Sequence, residues 1–175
     1  GSWLWSSDGA IRFADNKDGE RVNANNLPSY KNHAKETVCK VLPSASNNFP
    51  IAEKERFKPK LFVTPSGKKL LDFGQNMAGY AEFEVTASEG QKITLKFGEL
   101  LRDGELTLEN IQCKNKHKTT PLQRVEYICK EGVNRYKTKF AIFGFQYISV
   151  ETDVTVSPED FTAIAVYSDM EETGF

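Results

Sequence analysis

The densest coordinating chemistry in the 175-residue chain is Asp15-Asn16-Lys17-Asp18-Gly19-Glu20, which places three carboxylates and an amide within six residues. Hard oxygen donors of this kind are what Ca2+ takes, roughly six to eight at a time. The spacing is not that of an EF-hand. With Gly19 at the sixth loop position, Ala14 and Asn25 fall at the first and twelfth, where such a loop requires carboxylates. A solvated acidic turn is the competing reading, because Asp, Asn and Gly populate turns for conformational reasons alone. A second polar cluster is Asp72-Phe73-Gly74-Gln75-Asn76, where a strand ends and Gly74 and Gly79 permit a tight bend. The amides of Gln75 and Asn76 either face a ligand or satisfy the backbone of their own turn. His33 and His117 have no Cys or second His at ligand spacing, which argues against zinc. Cys39, Cys113 and Cys129 lie far apart with no CxxC pair, so buried or free thiols are expected. No nucleophile elbow, HExxH or Ser-His-Asp arrangement is visible, which disfavours a complete small hydrolase.

These groups need a frame, and the period of the apolar residues supplies it. From about residue 60 onward, short alternating segments are separated by glycine or charged turns, the pattern of half-buried antiparallel strands. Ala81, Phe83 and Val85 alternate with polar neighbours, as do Ile93, Leu95 and Phe97, and Glu89-Gly90 between them predicts a hairpin. A sheet with one apolar face must bury it against a second sheet, so the expected fold is all-β, an antiparallel β-sandwich or jelly roll. Residues 1–59, rich in Asn, Ser, Pro and charge, read as a loop-rich leading segment of the same module, and residues 60–175 as its core, effectively one domain. Gly1-Ser2 reads as an expression remnant, and Lys114 to Pro121 as an exposed polar loop. With 23 Lys plus Arg against 24 Asp plus Glu, no summed field attracts DNA, and nucleic acid is not an expected partner. No apolar run reaches the roughly 18–20 residues of a bilayer span, so no membrane partner is expected either.

Several segments, taken in order, resemble the non-catalytic β-domains that precede the catalytic barrel in bacterial α-L-rhamnosidases of glycoside hydrolase family 78. The strongest is Leu71 to Tyr80 (LDFGQNMAGY), followed by GQKITLKFGELL from Gly90, GELTLENIQ from Gly104, YKTKFAIFGFQYISV from Tyr136 and VYSDMEETGF from Val166. The segment from Asp8 to Asn25 resembles the preceding family segment, in which a strand leads into an Asp-Gly-Glu turn. In the family an (α/α) barrel begins just after the Ser-Asp-x-Glu-x-Thr-Gly-Phe signature, here residues 168–175. The acid and base carboxylates of glycoside inversion come from that barrel, so the resemblance implies no catalytic residue on this chain.

The family includes rhamnose-binding modules in which an adjacent Asp-Asn pair chelates calcium together with vicinal sugar hydroxyls, and Asp15-Asn16 resembles that pair. The resemblance therefore implies L-rhamnose or a rhamnose-containing glycan as ligand, and Ca2+ as cofactor on Asp15 and Asn16. Gln75 and Asn76 would contact sugar hydroxyls, and Tyr30 would offer an aromatic platform, with Trp5 and Tyr80 as further candidates. Two departures bear on this. The family commonly carries tryptophans after the Asp-Gly-Glu turn, where this chain has only Tyr30; and it often has Tyr-His before Gly-Phe and Arg after, where this chain has Ile142-Phe143 and Gln146, implying lost polar contacts on that strand. The missing tryptophans favour a second role, a spacer that packs on the catalytic barrel without binding sugar. Trp3 and Trp5 then read as core or terminal packing. The compartment is not legible, with periplasmic or extracellular preferred to cytoplasmic.

Overall fold

The alternation of Leu71, Phe73, Ala81, Phe83, Val85 and Ala87, all buried, belongs to one 19-residue strand, Lys69–Ala87, around which the molecule is organised. The computed structural model describes residues 2–46, 49–171, 173 and 174. Glu172 and Phe175 of the closing signature, like Gly1 of the leading dipeptide, lie outside the described residues. The strands of the main sheet are β1 (Ile11–Asp15), β2 (Gly19–Asn23), β3 (Ile51–Phe57), β4 (Lys60–Val63), β5 (Lys69–Ala87), β6 (Lys92–Gly98), β7 (Arg124–Ile128), β8 (Gly132–Lys137), β9 (Phe143–Thr152) and β10 (Phe161–Ser168). They run in the order β1-β2-β7-β6-β9-β5-β10-β3, with β4 and β8 also paired to β5.

A sheet this wide cannot stay flat, because each strand is twisted against the next. Strand β5 carries the curl. Its first residues pair with β4 and β9, and its last with β8 and β10, so one strand passes from one layer into the other. The apolar faces of the layers then meet. Phe83 on β5 packs edge-on against Tyr127 on β7, with ring centroids 5.2 Å apart. Phe97 and Phe143 stack at 4.4 Å on the β6–β9 side. The result is an all-β sandwich, as the alternation predicts.

Three expectations need correction. The segments on either side of Glu89-Gly90 do not form a hairpin: β5 pairs with β8 and β10 there, and β6 pairs with β7 and β9. Alternation marks a buried face but is blind to whether two such faces lie side by side or stacked. The sheet is also mixed, since β7 runs parallel to β2 with Arg124 opposite Gly19. Parallel neighbours need a long crossover, and the whole of the sandwich from β3 to β6 lies between these two strands. Finally, the leading segment is less loop-like than it reads. It contributes β1, β2 and β3 to the sheet, and β3 shows little apolar alternation because only Ala52 and Phe57 are even partly covered at that edge.

Candidate functional site

The donor-rich turn closes the β1–β2 hairpin, with Asp15 opposite Gly19. Gly19 sits at φ +107°, and a Cβ there would lie 1.9 Å from the Arg124 carbonyl oxygen, so the hairpin end rests directly on the β7 backbone. Only glycine fits. That close approach turns the two flanking carboxylates, Asp18 and Glu20, inward. Asp15 Oδ1 accepts the N–H groups of Lys17 and Asp18, each at 2.8 Å, and these hold its carboxyl below the ordinary range. Asp18 is buried; its Oδ1 accepts the Thr120 hydroxyl at 2.6 Å and the Leu122 N–H at 3.1 Å, while Lys118 Nζ lies 2.7 Å from Oδ2. Glu20 is 1% exposed. Its Oε1 accepts the N–H groups of Lys139 (2.9 Å), Phe140 (2.5 Å) and Ala141 (3.2 Å), and its Oε2 accepts the hydroxyl of Tyr136.

A calcium shell can be tested against this donor set. Asp18 and Glu20 are consumed by protein donors, which leaves the second oxygen of Asp15 and the exposed Asn16. Two side-chain donors fall well short of the roughly six to eight that the ion takes. Among the described residues no group of three or more His, Cys, Asp or Glu converges on a point that could hold a metal. The residues present therefore do not fit a resident calcium ion.

The polar stretch Lys114 to Pro121 has a structural task that its composition does not announce. It folds back as a short ladder, Cys113–Lys114 against Thr119–Thr120, and delivers Lys118 and Thr120 to Asp18. Lys118 first, then Thr120, holds the Asp18 carboxyl below its usual value of 3.8. A carboxylate depressed in the folded state stabilises above its unfolded pKa and loses that contribution as pH falls through the folded value. Wild type should therefore exceed Asp18→Asn in melting temperature at pH 6, with the gap closing as pH falls below about 4. A gap independent of pH would show that the ion pair contributes nothing.

Gln75 and Asn76 stand on an irregularity in β5. Met77 lies opposite Phe145, yet Asp72 lies opposite Tyr147, so four residues of β5 face Gln146 alone. Gly74, at φ +82°, turns the excursion outward. Asp72 Oδ1 accepts the Gly74 N–H at 2.8 Å and the Gln146 amide at 3.0 Å. Gln146 thus keeps a polar contact on a strand expected to lose it, because its amide is long enough to reach across the bulge. Asn76 donates to Glu99 at 3.5 Å, and Asn110 donates to the same carboxylate at 2.9 Å. Gln75 is exposed.

The aromatic candidates do not assemble around either cluster. Tyr30 is 59% exposed, and Trp3 and Trp5 are 80% and 50% exposed, so the tryptophans are not core packing. Tyr80 is held at the β5–β3 side, donating to Glu53 at 2.8 Å beside Lys137; burial and then Glu53 push its hydroxyl up to about 12. Asp15–Asn16, Tyr30 and Gln75–Asn76 stand on three different segments and share no hydrogen bond among the described residues. The sequence reading missed Glu20 and Asp18 as inward-facing anchors. The one available signal was their position beside Gly19, since a strand-end glycine often marks close backbone approach.

A two-layer β-sandwich stiffened by buried carboxylates and carrying a polar bulge on its longest strand defines a class of all-β module. The chain belongs to the bacterial α-L-rhamnosidase concanavalin-like domain family, which matches residues 63–167. The match bears out the resemblance carried by the LDFGQNMAGY motif and its neighbours. It is 28% identical over 173 residues to an α-L-rhamnosidase of Alteromonas sp. strain LOR, covering 90% of this chain and 18% of the relative. An α-L-rhamnosidase of Formosa agariphila is 29% identical over 161 residues, covering 89% of this chain and 17% of the relative. The chain thus spans about a sixth of the length of these relatives. The native α-L-rhamnosidase of Aspergillus terreus superposes with a TM-score of 0.77 at 25% identity, over 95% of this chain and 20% of that one. The Streptomyces avermitilis α-L-rhamnosidase complexed with L-rhamnose shares the fold, with a TM-score of 0.74 at 22% identity over 92% of this chain and 16% of that one.

Proposed function

We propose that this chain is an accessory domain of a larger α-L-rhamnosidase, and that it docks on the remainder of the enzyme, its catalytic barrel foremost, without cleaving a bond itself. One observation carries the reading. In the extended segment after β2, Leu27, Val38, Val41 and Leu42 are 81%, 84%, 75% and 91% exposed, and Tyr30 and Phe49 lie in the same stretch. So many large apolar side chains held in water along one segment mark a surface that another surface covers. The inward-turned carboxylates of Asp18 and Glu20 support the same reading, because they spend the donor-rich turn on structure.

The test uses the isolated chain. At tens of micromolar it is expected to self-associate through this segment, and a Val38→Ser/Val41→Ser/Leu42→Ser variant is expected to sediment as a monomer with an unchanged melting temperature. A wild-type monomer indistinguishable from the variant at all concentrations would overturn docking. L-rhamnose titrated by calorimetry, with Ca2+ and again after chelation, is the second arm. Binding between millimolar and tens of micromolar would be worth about 4–6 kcal/mol. No heat is expected. Heat abolished both by chelator and by Asp15→Ala would replace docking with calcium-dependent recognition of L-rhamnose as the domain's role.

A further inference from the structure

Between the start of the β1–β2 hairpin and the β7–β8 turn lies an open cleft of about 860 Å3. We infer that it binds an anionic oligosaccharide, one bearing carboxylate or sulfate groups. Three cations, Lys130, Arg135 and Lys139, line it, and no Asp or Glu does. Arg135 is tied to Glu84 on the outer face of β5, at 2.6 and 3.0 Å. Lys130 and Lys139 have no carboxylate partner among the described residues. In a chain with a net charge of −1, two lysines without a carboxylate partner lining one concave surface favour an anionic ligand.

Their placement is not that of two loose surface lysines. The Lys130 N–H donates to Asn134 Oδ1 at 2.9 Å, and Asn134 Nδ2 returns to the Lys130 carbonyl at 2.8 Å; Asn134 is fully buried. The Lys139 N–H is fixed by Glu20 at 2.9 Å. Two buried polar side chains thus set the backbone from which each ammonium projects, so part of the ordering cost of binding is already met. The Glu20 carboxylate is itself taken up by four donors and does not line the cleft. Ser6, also in the lining, accepts the N–H groups of Asp8 and Ser29 at Oγ, each at 3.1 Å, and its O–H has no protein acceptor among the described residues. Ile11, partly exposed, and Val133, exposed, add apolar surface against which the C–H face of a sugar ring can lie. Cations at the rim, a hydroxyl donor and an apolar wall are the requirements of an acidic glycan, and the volume lies in the range of roughly 300–1,000 Å3 usual for ligand sites. Membership in a rhamnosidase family favours a glycan over an acidic polypeptide. The choice of a glycan rests on that membership, and the inference stands or falls separately from docking through the apolar segment.

The test is affinity electrophoresis and calorimetry of this chain at low salt with four probes: a galacturonic acid tetrasaccharide, a sulfated galactose tetrasaccharide, a neutral galactose tetrasaccharide and a glutamate oligopeptide. Binding of the carboxylated or sulfated sugar is expected, with the stronger of the two naming the anion, and the neutral sugar should bind at least about tenfold more weakly. Lys130→Ala/Lys139→Ala should lose about tenfold in affinity for the anionic sugar while melting with wild type, because both side chains are exposed. Equal binding of the neutral sugar, or a double variant that binds like wild type, would overturn the proposal. A glutamate peptide that binds more tightly than either anionic sugar would overturn it in favour of a polypeptide partner.

Discussion

Glu20→Ala is expected to destabilise the domain by about 3–5 kcal/mol, read as a fall in the denaturant midpoint with an unchanged slope. The size follows from what the carboxylate holds. Three consecutive N–H groups, Lys139, Phe140 and Ala141, and the Tyr136 hydroxyl all end on it, in a position 1% exposed. A buried donor without an acceptor costs about 1–3 kcal/mol, and alanine leaves two of them, at Ala141 and Tyr136, with two part-buried donors at Lys139 and Phe140 that water can reach. The segment from 139 to 141 leads directly into β9, which pairs with both β5 and β6. Its release should loosen the centre of the sheet. Glu20→Gln separates charge from shape, since its carbonyl can still accept but its amide group presents hydrogens to donors. It should recover less than half of the loss. A variant within about 1 kcal/mol of wild type would mean that the N–H groups find other acceptors, and that Glu20 is not an anchor.

Gly79→Ala is expected to cost about 3 kcal/mol or more, or to prevent folding, for a reason different from the usual one for glycine. A Cβ at residue 79 would lie 2.0 Å from the Ile164 carbonyl oxygen and 3.2 Å from the Ala165 Cα on β10. Both are backbone atoms, so no side chain can swing aside, and β10 itself must move. Gly74, in the same motif, is the control. It lies at φ +82° with nothing within 4 Å of its missing Cβ, so Gly74→Ala should cost only about 1–2 kcal/mol, the conformational penalty of a left-handed residue. Thermal melts of the two single variants settle the matter. If Gly74→Ala proved the more damaging, the motif's glycines would serve backbone freedom and the β5–β10 contact would be more yielding than its geometry indicates.

Much of this molecule is legible without coordinates. The period of two in Ala81, Phe83 and Val85, and again in Ile93, Leu95 and Phe97, dictates strands, because alternate side chains in an extended chain fall on one face. Glycine-bearing motifs in a fixed order were enough to identify the family, since close backbone approaches such as those at Gly19 and Gly79 admit no other residue. What the chain by itself could not decide was pairing and direction. Which strands lie beside β5, and whether Glu89-Gly90 closes a hairpin or spans two layers, depends on contacts far apart in sequence that alternation does not encode. The same limit applies to the donor-rich turn. Composition establishes that Asp15, Asn16, Asp18 and Glu20 sit together along the chain, and oxygen chemistry alone makes them a fair calcium set. Only the tertiary structure, by pressing Gly19 onto Arg124 and bringing Lys118, Thr120 and the 139–141 backbone around the turn, sends two of those carboxylates inward. A carboxylate binds whichever donors the fold places within about 3 Å of it, and those donors come from segments a hundred residues away.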